Sequence, residues 1–569
     1  MELPIGVSDF EKLIEDNYLF VDKSLFIKEV MEDGAQVVLI TRPRRFGKTL
    51  NLSMLYYFLS RNYNKNENLF KGLKISKEEE FCKKHQQQYP IIFISFKDVK
   101  ALDYENAYDI IVKLIRELYA EHRYLLEGDL LAQDEKSIYE EILNEKANKA
   151  SIKDSIKQLA LYMARKFKQL PIVLIDEYDT PIQEGYSKQY YEKIVEVMRG
   201  IFGQALKDNR PGDRIIDKAI ITGITRVGQE SMFSGLNNLE VYTLLREKYG
   251  QYFGFTEEEV INLLRQSKQT ISISPIKEWY NGYQVGRYVL YNPWSIINCL
   301  KNNGDLKPYW VNTASNDLIA ELLDGAKLAI KQQFEELLQG NVIEQPLSEN
   351  LVFADIKTSA EALWSLLVYA GYLKVLSSEL RGYELMAKMA IPNKEVGFVY
   401  DKIIANWFYK ATSRDSYIKF IQSLEKGEIN NFKNYLSDYI IQTGSYFEFN
   451  SKTSEQIFHV FILGLVVGLK EHYAIHSNQE SGLGRFDVIF IPKDKSKNGI
   501  LLEFKTSATS DLLVEKAQEA LKQIKERRYI ERFKQHNIDS VLAIGLAFCG
   551  KELELAHEVI AICGRGPAN

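Results

Sequence analysis

Residues 36–55 read Gln36-Val-Val-Leu-Ile-Thr41-Arg42-Pro43-Arg44-Arg45-Phe46-Gly47-Lys48-Thr49-Leu50-Asn51-Leu52-Ser53-Met54-Leu55. An apolar, β-branched run ends in a short basic turn, and a helical pattern opens directly after Gly47-Lys48-Thr49. This is the order of a phosphate-binding loop, G-x-x-x-x-G-K-[ST] between a strand and a helix. Gly47, Lys48 and Thr49 match it, whereas Arg42 stands where the first glycine is expected. Backbone N–H groups and the helix N-terminus would hold phosphate oxygens, with Arg42 and Gly47 in the loop. Lys48 would neutralise the β/γ charge, and the Thr49 hydroxyl would ligate Mg²⁺.

Such a loop needs an acidic partner at the end of a neighbouring strand. Ile172-Val173-Leu174-Ile175-Asp176-Glu177-Tyr178-Asp179 supplies it. Four apolar residues bury the strand and deliver Asp176 to the metal, and Glu177 is placed to orient or deprotonate an attacking water. Asp179 reads as the cap of the helix opening at Thr180-Pro181. A further strand, Ala219-Ile-Ile-Thr222, leads into Gly223-Ile224-Thr225-Arg226-Val227. Two readings stand there. Thr222 or Thr225 senses a γ-phosphate while Arg226 reaches a nucleotide in cis or in trans, or the threonines cap a helix and the arginine is solvated.

Outward from this core, β-branched runs at 36–41, 91–96, 172–175 and 218–222 alternate with longer helical patterns. Continuous apolar runs of that kind indicate a buried parallel sheet flanked by helices. From about 246 to 440 the period is mostly helical. Strands return in Phe486-Asp-Val-Ile-Phe490, Gly499-Ile-Leu-Leu-Glu-Phe-Lys505 and Ser540-Val-Leu-Ala-Ile-Gly-Leu-Ala-Phe548, with a charged helix over about 511–534. The expected organisation is α/β: a P-loop NTPase domain at 1–245, a helical lid or linker at 246–440 and an α/β domain at 441–569.

The last domain offers a second metal site. Asp487 lies on one strand, with Glu503 and Lys505 two apart on the next. Side chains alternate along a strand, so E-x-K points both groups to one face. Adjacent strands would bring Asp487 and Glu503 together around Mg²⁺ or Mn²⁺, while Lys505 positions water and stabilises charge at a reacting phosphate. This is the PD-(D/E)XK arrangement, and it spans about Glu455–Gln518. Charges set among Leu501, Leu502 and Phe504 are costly unless paired or metal-bound. Glu455 is a candidate further carboxylate, and Gln518 a candidate polar group facing the site from the helix. Lys516, Lys522, Lys525, Arg527, Arg528, Arg532 and Lys534 form a candidate track for a phosphate backbone. His459, His472 and His476 lack ligand spacing and read as packing or surface residues.

Composition narrows the classes. Seventy-two Lys and Arg against 77 Asp and Glu give a net charge of −5, so any nucleic-acid contact must come from a local basic surface. Cys82, Cys299, Cys549 and Cys563 are far apart, which argues against a zinc knuckle or disulfide framework and suits a reducing cytoplasm. No signal peptide is expected. Phe461–Leu469 is too short an apolar run to span a bilayer, which takes about 20 residues, so no membrane association is expected.

Three opening strings resemble bacterial AAA-ATPase-like proteins with a C-terminal PD-(D/E)XK nuclease domain. They are Leu3-Pro-Ile-Gly-Val-Ser-Asp-Phe10, Tyr18-Leu-Phe-Val-Asp22-Lys23-Ser24 and Arg42-Pro-Arg-Arg-Phe-Gly-Lys-Thr49. Asp176-Glu-Tyr-Asp179, Thr222-Gly-Ile-Thr-Arg226, Trp279-Tyr-Asn-Gly-Tyr283 and Tyr291-Asn-Pro293 extend the likeness. It runs over nearly the whole chain and is weakest from about 320 to 440. The resemblance implies that arginine at position 42 is usual. It suits a bacterial, cytoplasmic ATP-binding protein with a nucleic-acid partner, DNA before RNA, and it allows a homo-oligomer. Two functions fit: ATP hydrolysis coupled to metal-dependent cleavage, and a nucleotide-dependent switch whose nuclease-like domain binds without cutting. Trp279–Tyr283 is expected to be a tight turn pinned to a core, and Lys23 a solvated helix start rather than an adenine contact.

Overall fold

The computed structural model describes residues 2–61, 69–207, 214–226, 238–267, 271–310, 328–338, 340–351, 353–356, 358–411, 413–443, 465–477, 488–526 and 531–562, with a few isolated residues between them. Two compact units result, Met1–Ile319 with Glu344–Val396, and Ala320–Ile343 with Gly397–Asn569.

The first unit is built on five parallel strands. They are β1 (Val37–Thr41), β2 (Ile91–Ser95), β3 (Ile172–Asp176), β4 (Lys218–Gly223) and β5 (Leu239–Tyr242), in the spatial order β2-β3-β4-β1-β5. Val37–Ile40, Ile172–Ile175 and Ala219–Ile221 are fully shielded from solvent. Each buried Val, Ile or Leu side chain contributes roughly 1.5–3 kcal/mol relative to exposure, so these three strands anchor the unit. β1 and β3 flank β4 in parallel, so the loops after both leave the same C-terminal edge of the sheet, the edge at which open α/β sheets bind ligands. Helix α1 (Lys48–Leu59) starts there, and α2 (Thr180–Ser187) follows β3.

The region after β5 is rich in helices, among them α3 (Pro293–Lys301), and also carries strands that the helical period does not suggest. β6 (Tyr283–Val285) and β7 (Tyr288–Leu290) form a hairpin, and β8 (Ile343–Pro346), β9 (Lys374–Arg381) and β10 (Glu384–Ala390) form a sheet ordered β8-β10-β9, with β9 and β10 antiparallel. The Trp279–Tyr283 string joins a helix ending at Tyr280 to β6. Gly282 sits at φ 101°, and an added Cβ would fall 2.3 Å from the Pro392 carbonyl oxygen, so only glycine fits.

The second unit holds a mixed sheet. Its strands are β11 (Tyr473–Ser477), β12 (Val488–Pro492), β13 (Gly499–Thr506), β14 (Ser540–Cys549) and β15 (Glu552–Ala561), adjacent in that order. β13 and β14 pair in parallel and the other neighbours are antiparallel. Ile489, Leu501 and Ala543 pack with α4 (Leu513–Glu526) on one face. Phe490, Ile500, Leu502 and Phe504 face the other core. Gly545 lets α4 lie close: a Cβ there would be 2.4 Å from the Ala517 carbonyl oxygen. The charged helix expected over 511–534 consists, in its described part, of α4 and a second helix, Glu531–Gln535. β11 and β15 are not expected from sequence.

Candidate nucleotide and metal sites

The turn after β1 achieves its shape with two left-handed residues, Arg45 at φ 67° and Gly47 at φ 80°. Gly47 occupies the N-cap position of α1 and supplies no side-chain cap, so first-turn amides are left for a ligand. Lys48 is buried, and its Nζ donates to the carbonyl oxygens of Arg42 and Pro43, both at 3.1 Å. Burial lowers its pKa, with Glu177 and Asp176 pulling the other way.

The strand register sets Asp176 beside Thr222. Thr222 Oγ1 donates to Asp176 Oδ1 at 2.7 Å, and Thr49 Oγ1 donates to Oδ2 at 2.8 Å. Asp176 is fully buried, and burial raises its pKa, with Glu177 adding to the rise. A divalent cation on the Thr49–Asp176 oxygens would offset that cost, and hydroxyl and carboxylate are the donors Mg²⁺ takes. Glu177 follows in a left-handed conformation, φ 49°, which turns its side chain into the cavity over the loop.

That cavity has a volume of about 590 Å³, within the range for small-molecule and cofactor sites. Arg44, Arg45, Lys48, Thr49, Lys97 and Lys100 line one part of it, together with Glu177. Val7, Leu13, Leu19, Phe20, Phe255 and Trp294 line an apolar part. The cationic part suits a polyphosphate and the apolar part a planar base. The N-terminal segment contributes much of this wall. Sequence reasoning does not identify it as part of the site, because Val7, Leu13 and Leu19 read as ordinary core residues.

Several expectations change. Arg42 does not line the cavity. Its guanidinium is fully buried and donates to the carbonyl oxygens of Thr41 (2.7 Å), Tyr242 (2.9 Å) and Lys248 (3.4 Å), while its N–H donates to the Gly223 carbonyl (3.0 Å). Arg42 therefore binds protein backbone where a nucleotide contact was expected. Arg42→Ala would strip the guanidinium from the Thr41, Tyr242 and Lys248 carbonyls and leave a void, and the expected loss of unfolding free energy is about 3 kcal/mol or more. Urea unfolding followed by circular dichroism measures it; a loss under about 1 kcal/mol would contradict the assignment.

Asp179 stands at the N-cap position of α2 but makes no capping bond to that helix. Its Oδ2 accepts from the Ile224 N–H (3.0 Å), the Thr225 N–H (2.9 Å), Thr225 Oγ1 (2.9 Å) and Gln183 Nε2 (2.9 Å). Two buried backbone donors beyond β4 take the carboxylate, because unpaired they would cost more than an uncapped, partly solvated helix start. Thr225 is thus neither a phosphate sensor nor a helix cap, whereas Thr222 touches Asp176. Arg226 lies with Nη1 3.9 Å from Glu349 and does not line the cavity. Lys23 is not solvated: its Nζ meets Glu259 at 2.6 Å and the Gln251 carbonyl at 2.6 Å.

A second titrating group adjoins the loop. Glu395 is fully buried, accepting from Ser295 Oγ (2.7 Å) and the Trp310 N–H (2.7 Å), and burial pushes its pKa up to about 7. From pH 4.5 to 7 the unfolded chain releases the proton that the folded chain keeps. Stability therefore falls across that window, by about 3 kcal/mol at about 1.4 kcal/mol per pH unit. Glu395→Gln is expected to remove this slope and to be the more stable protein at pH 8. Urea unfolding at pH 5 and pH 8 tests it, and equal slopes in both proteins would refute it.

In the second unit Glu503 is 2% exposed and lies on the α4 face of β13 with Lys505, which is partly buried. Gln523 Nε2 donates to Glu503 Oε1. Gln523 thus fills the role expected of Gln518, which is exposed: the helix face toward β13 runs through Ala517, Ala520, Leu521 and Ile524. Asp487 and Glu455 lie outside the described residues. Among the described residues no group of three or more His, Cys, Asp or Glu side chains gathers as a metal site. The described lysines of the basic track on α4 are exposed or partly buried and ion-paired. Lys516 pairs with Glu519, Lys522 with Glu526 and Lys525 with Glu558, since acids alternate with the lysines on the same helix and on β15. Arg527 and Arg528 lie outside the described residues. Among the described residues no helix is long and apolar enough to cross a membrane.

Residues 4–233 match the family described as "Predicted AAA-ATPase", and residues 453–558 match the PD-(D/E)XK nuclease superfamily. An uncharacterized protein from the vnfD 5′ region of Azotobacter chroococcum is 28% identical over 397 residues, covering 69% of this chain and 68% of that protein. A Walker-type ATPase of Pyrococcus abyssi aligns with 66% of this chain and 94% of its own, at 13% identity and a TM-score of 0.30. The chain therefore joins a predicted-AAA-ATPase domain at its N-terminal side to a PD-(D/E)XK nuclease superfamily domain at its C-terminal side.

Proposed function

We propose that this protein hydrolyses ATP with Mg²⁺ in the cavity over Gly47–Thr49, and that nucleotide turnover is coupled to metal-dependent cleavage of nucleic acid by the C-terminal domain. The observation that carries the first half is the Thr49–Asp176–Thr222 constellation, with Glu177 facing the same cavity. In this reading Gly47 amides and Lys48 hold the phosphates, Thr49 and Asp176 hold Mg²⁺, and Glu177 orients the attacking water. Asp487, Glu503 and Glu455 are the carboxylates proposed to hold Mg²⁺ or Mn²⁺, and Lys505 would stabilise charge at the scissile phosphate. DNA is preferred to RNA as substrate, and Arg226, which stands outside the cavity of its own chain, would serve a nucleotide held by a neighbouring copy of a homo-oligomer. The domains are taken as 1–245, 246–440 and 441–569, in a cytoplasmic protein.

The test uses purified full-length protein with single- and double-stranded DNA and RNA, Mg²⁺ or Mn²⁺, with and without ATP. Metal-dependent cleavage that Glu503→Ala abolishes supports the coupling; undiminished cleavage by that variant refutes the site. The ion pairing of Lys516, Lys522 and Lys525 favours a second reading, a nucleotide-dependent switch whose nuclease-like domain binds a partner without cutting. ATP turnover without cleavage of any substrate, and without metal uptake by that domain in calorimetry, selects it.

A further inference from the structure

Arg45 is neither a phosphate ligand nor a metal ligand in that proposal, yet its setting is unusual in three independent respects. Its backbone is left-handed, φ 67°, an uncommon conformation for a long side chain. Its guanidinium lies 3.8 Å from the centre of the Trp294 ring, the shortest cation–ring contact among the described residues. It also lines the same cavity as Lys48 and Thr49, while making no hydrogen bond or ion pair among the described residues. Of the other cations of that wall, Lys48 is engaged with loop carbonyls, Arg44 with Gln183 and Lys23 with Glu259; Lys97 and Lys100 share the wall without a side-chain bond among the described residues, but neither stacks on a ring. Arg45 therefore keeps a planar fork of donors two residues from Gly47, with only an aromatic face and the field of buried Glu395 to hold it. A bound polyphosphate offers that fork what the indole cannot, paired charge-assisted hydrogen bonds.

We propose that Arg45 is a phosphate-responsive arm that rests on Trp294 and leaves it for the terminal phosphates of a bound nucleoside triphosphate. The inference rests on the nucleotide-binding reading and adds a signalling route to it. Trp294 is in the first turn of α3, and the next residue, Ser295, donates to Glu395. Glu395 in turn accepts from the Trp310 N–H. Capture of Arg45 by phosphate frees the Trp294 ring and removes the cation that faces Glu395. The first turn of α3 is then clasped without triphosphate and unclasped with it. The differential contact is with the γ-phosphate end, so diphosphate shifts the balance less.

The test measures binding of a non-hydrolysable ATP analogue and of ADP to full-length protein by calorimetry, together with tryptophan emission. Arg45→Ala is expected to weaken the analogue at least tenfold and ADP less than threefold. Trp294→Leu removes the competing resting place and is expected to raise the ratio of analogue to ADP affinity two- to fivefold, a ratio that loss of a base contact common to both nucleotides does not move. A ratio that Trp294→Leu leaves unchanged or lowers, or equal weakening of both nucleotides by Arg45→Ala, overturns the proposal. In the wild type, the emission that Trp294→Phe removes is expected to change with the analogue and little with ADP. No change on saturation with the analogue overturns the proposal even if the arginine variant does not fold. Lys48→Ala separates the two readings. If the wild type binds no nucleotide, or Lys48→Ala binds as tightly, nucleotide binding itself fails; if only the Arg45 and Trp294 pattern is absent, that reading stands without the arm.

Discussion

Glu177→Gln is expected to bind ATP within about threefold of wild type and to hydrolyse it about 10²–10³ times more slowly, the scale of lost general-base catalysis. Geometry sets this expectation. Asp176 ends β3 buried, with both carboxylate oxygens taken by Thr222 and Thr49. It is placed to hold a metal and has no room to activate water. The chain then turns through the left-handed conformation of Glu177, and this carboxylate alone of the three acids at 176–179 lines the cavity. Thr180 Oγ1 donates to it over a long 3.3 Å, a weak tether that lets the group turn toward a water. Glutamine keeps the shape and removes the base. Lys48→Ala should differ, weakening binding as well as turnover, since it removes the buried cation of the loop. Steady-state phosphate release and calorimetry separate the two. A Glu177→Gln protein that turns over within fivefold of wild type would place the base elsewhere.

Whether a feature of the fold or site is legible in the sequence depends on whether the interaction behind it is local. Gly47, Lys48 and Thr49 announce themselves because one loop must supply a bend, a cation and a hydroxyl in fixed sequence. Asp176 and Glu177 follow because two acids closing a buried strand carry a desolvation cost that a metal and a water can offset. Arg42 and Asp179 are misread from sequence for the opposite reason. Their partners, Tyr242, Lys248, Ile224 and Thr225, sit on other strands or turns, and spacing within one segment carries no trace of them. The same holds for the apolar wall of the cavity and for Trp294, which join the loop only through tertiary folding. In the second unit the E-x-K alternation is legible, and the sheet places both side chains on the α4 face. The helix residue that meets Glu503 is missed by five positions, 523 against 518, because helical phase drifts when its start is uncertain. Edge strands β11 and β15 lack the continuous apolar pattern of β13 and β14, and so give no strand signal.

The larger effect is expected in the second unit: in the proposed reading Glu503 is a metal ligand, so Glu503→Gln should reduce metal-dependent cleavage by at least about 10³-fold. Glu503 is 2% exposed, inside an otherwise apolar strand, and a carboxylate is kept in such a place only where something pairs with it. Gln523 donates a hydrogen bond to Glu503, and a glutamine at 503 would still accept it. Glutamine preserves shape and the partner on α4, so lost activity would not trace to a folding defect. Unfolding free energy should be unchanged or slightly raised, because a buried charge has been removed. Lys505→Ala provides the contrast. It leaves the carboxylates, so Mn²⁺ uptake measured by calorimetry should persist while cleavage falls by about 10²-fold or more. Loss of metal binding in the first variant and its retention in the second would assign the ligand and the charge-stabilising role separately. Cleavage by either variant at the wild-type rate would remove Glu503 and Lys505 from the chemistry and leave the nuclease-like fold as a binding module under the control of the ATPase.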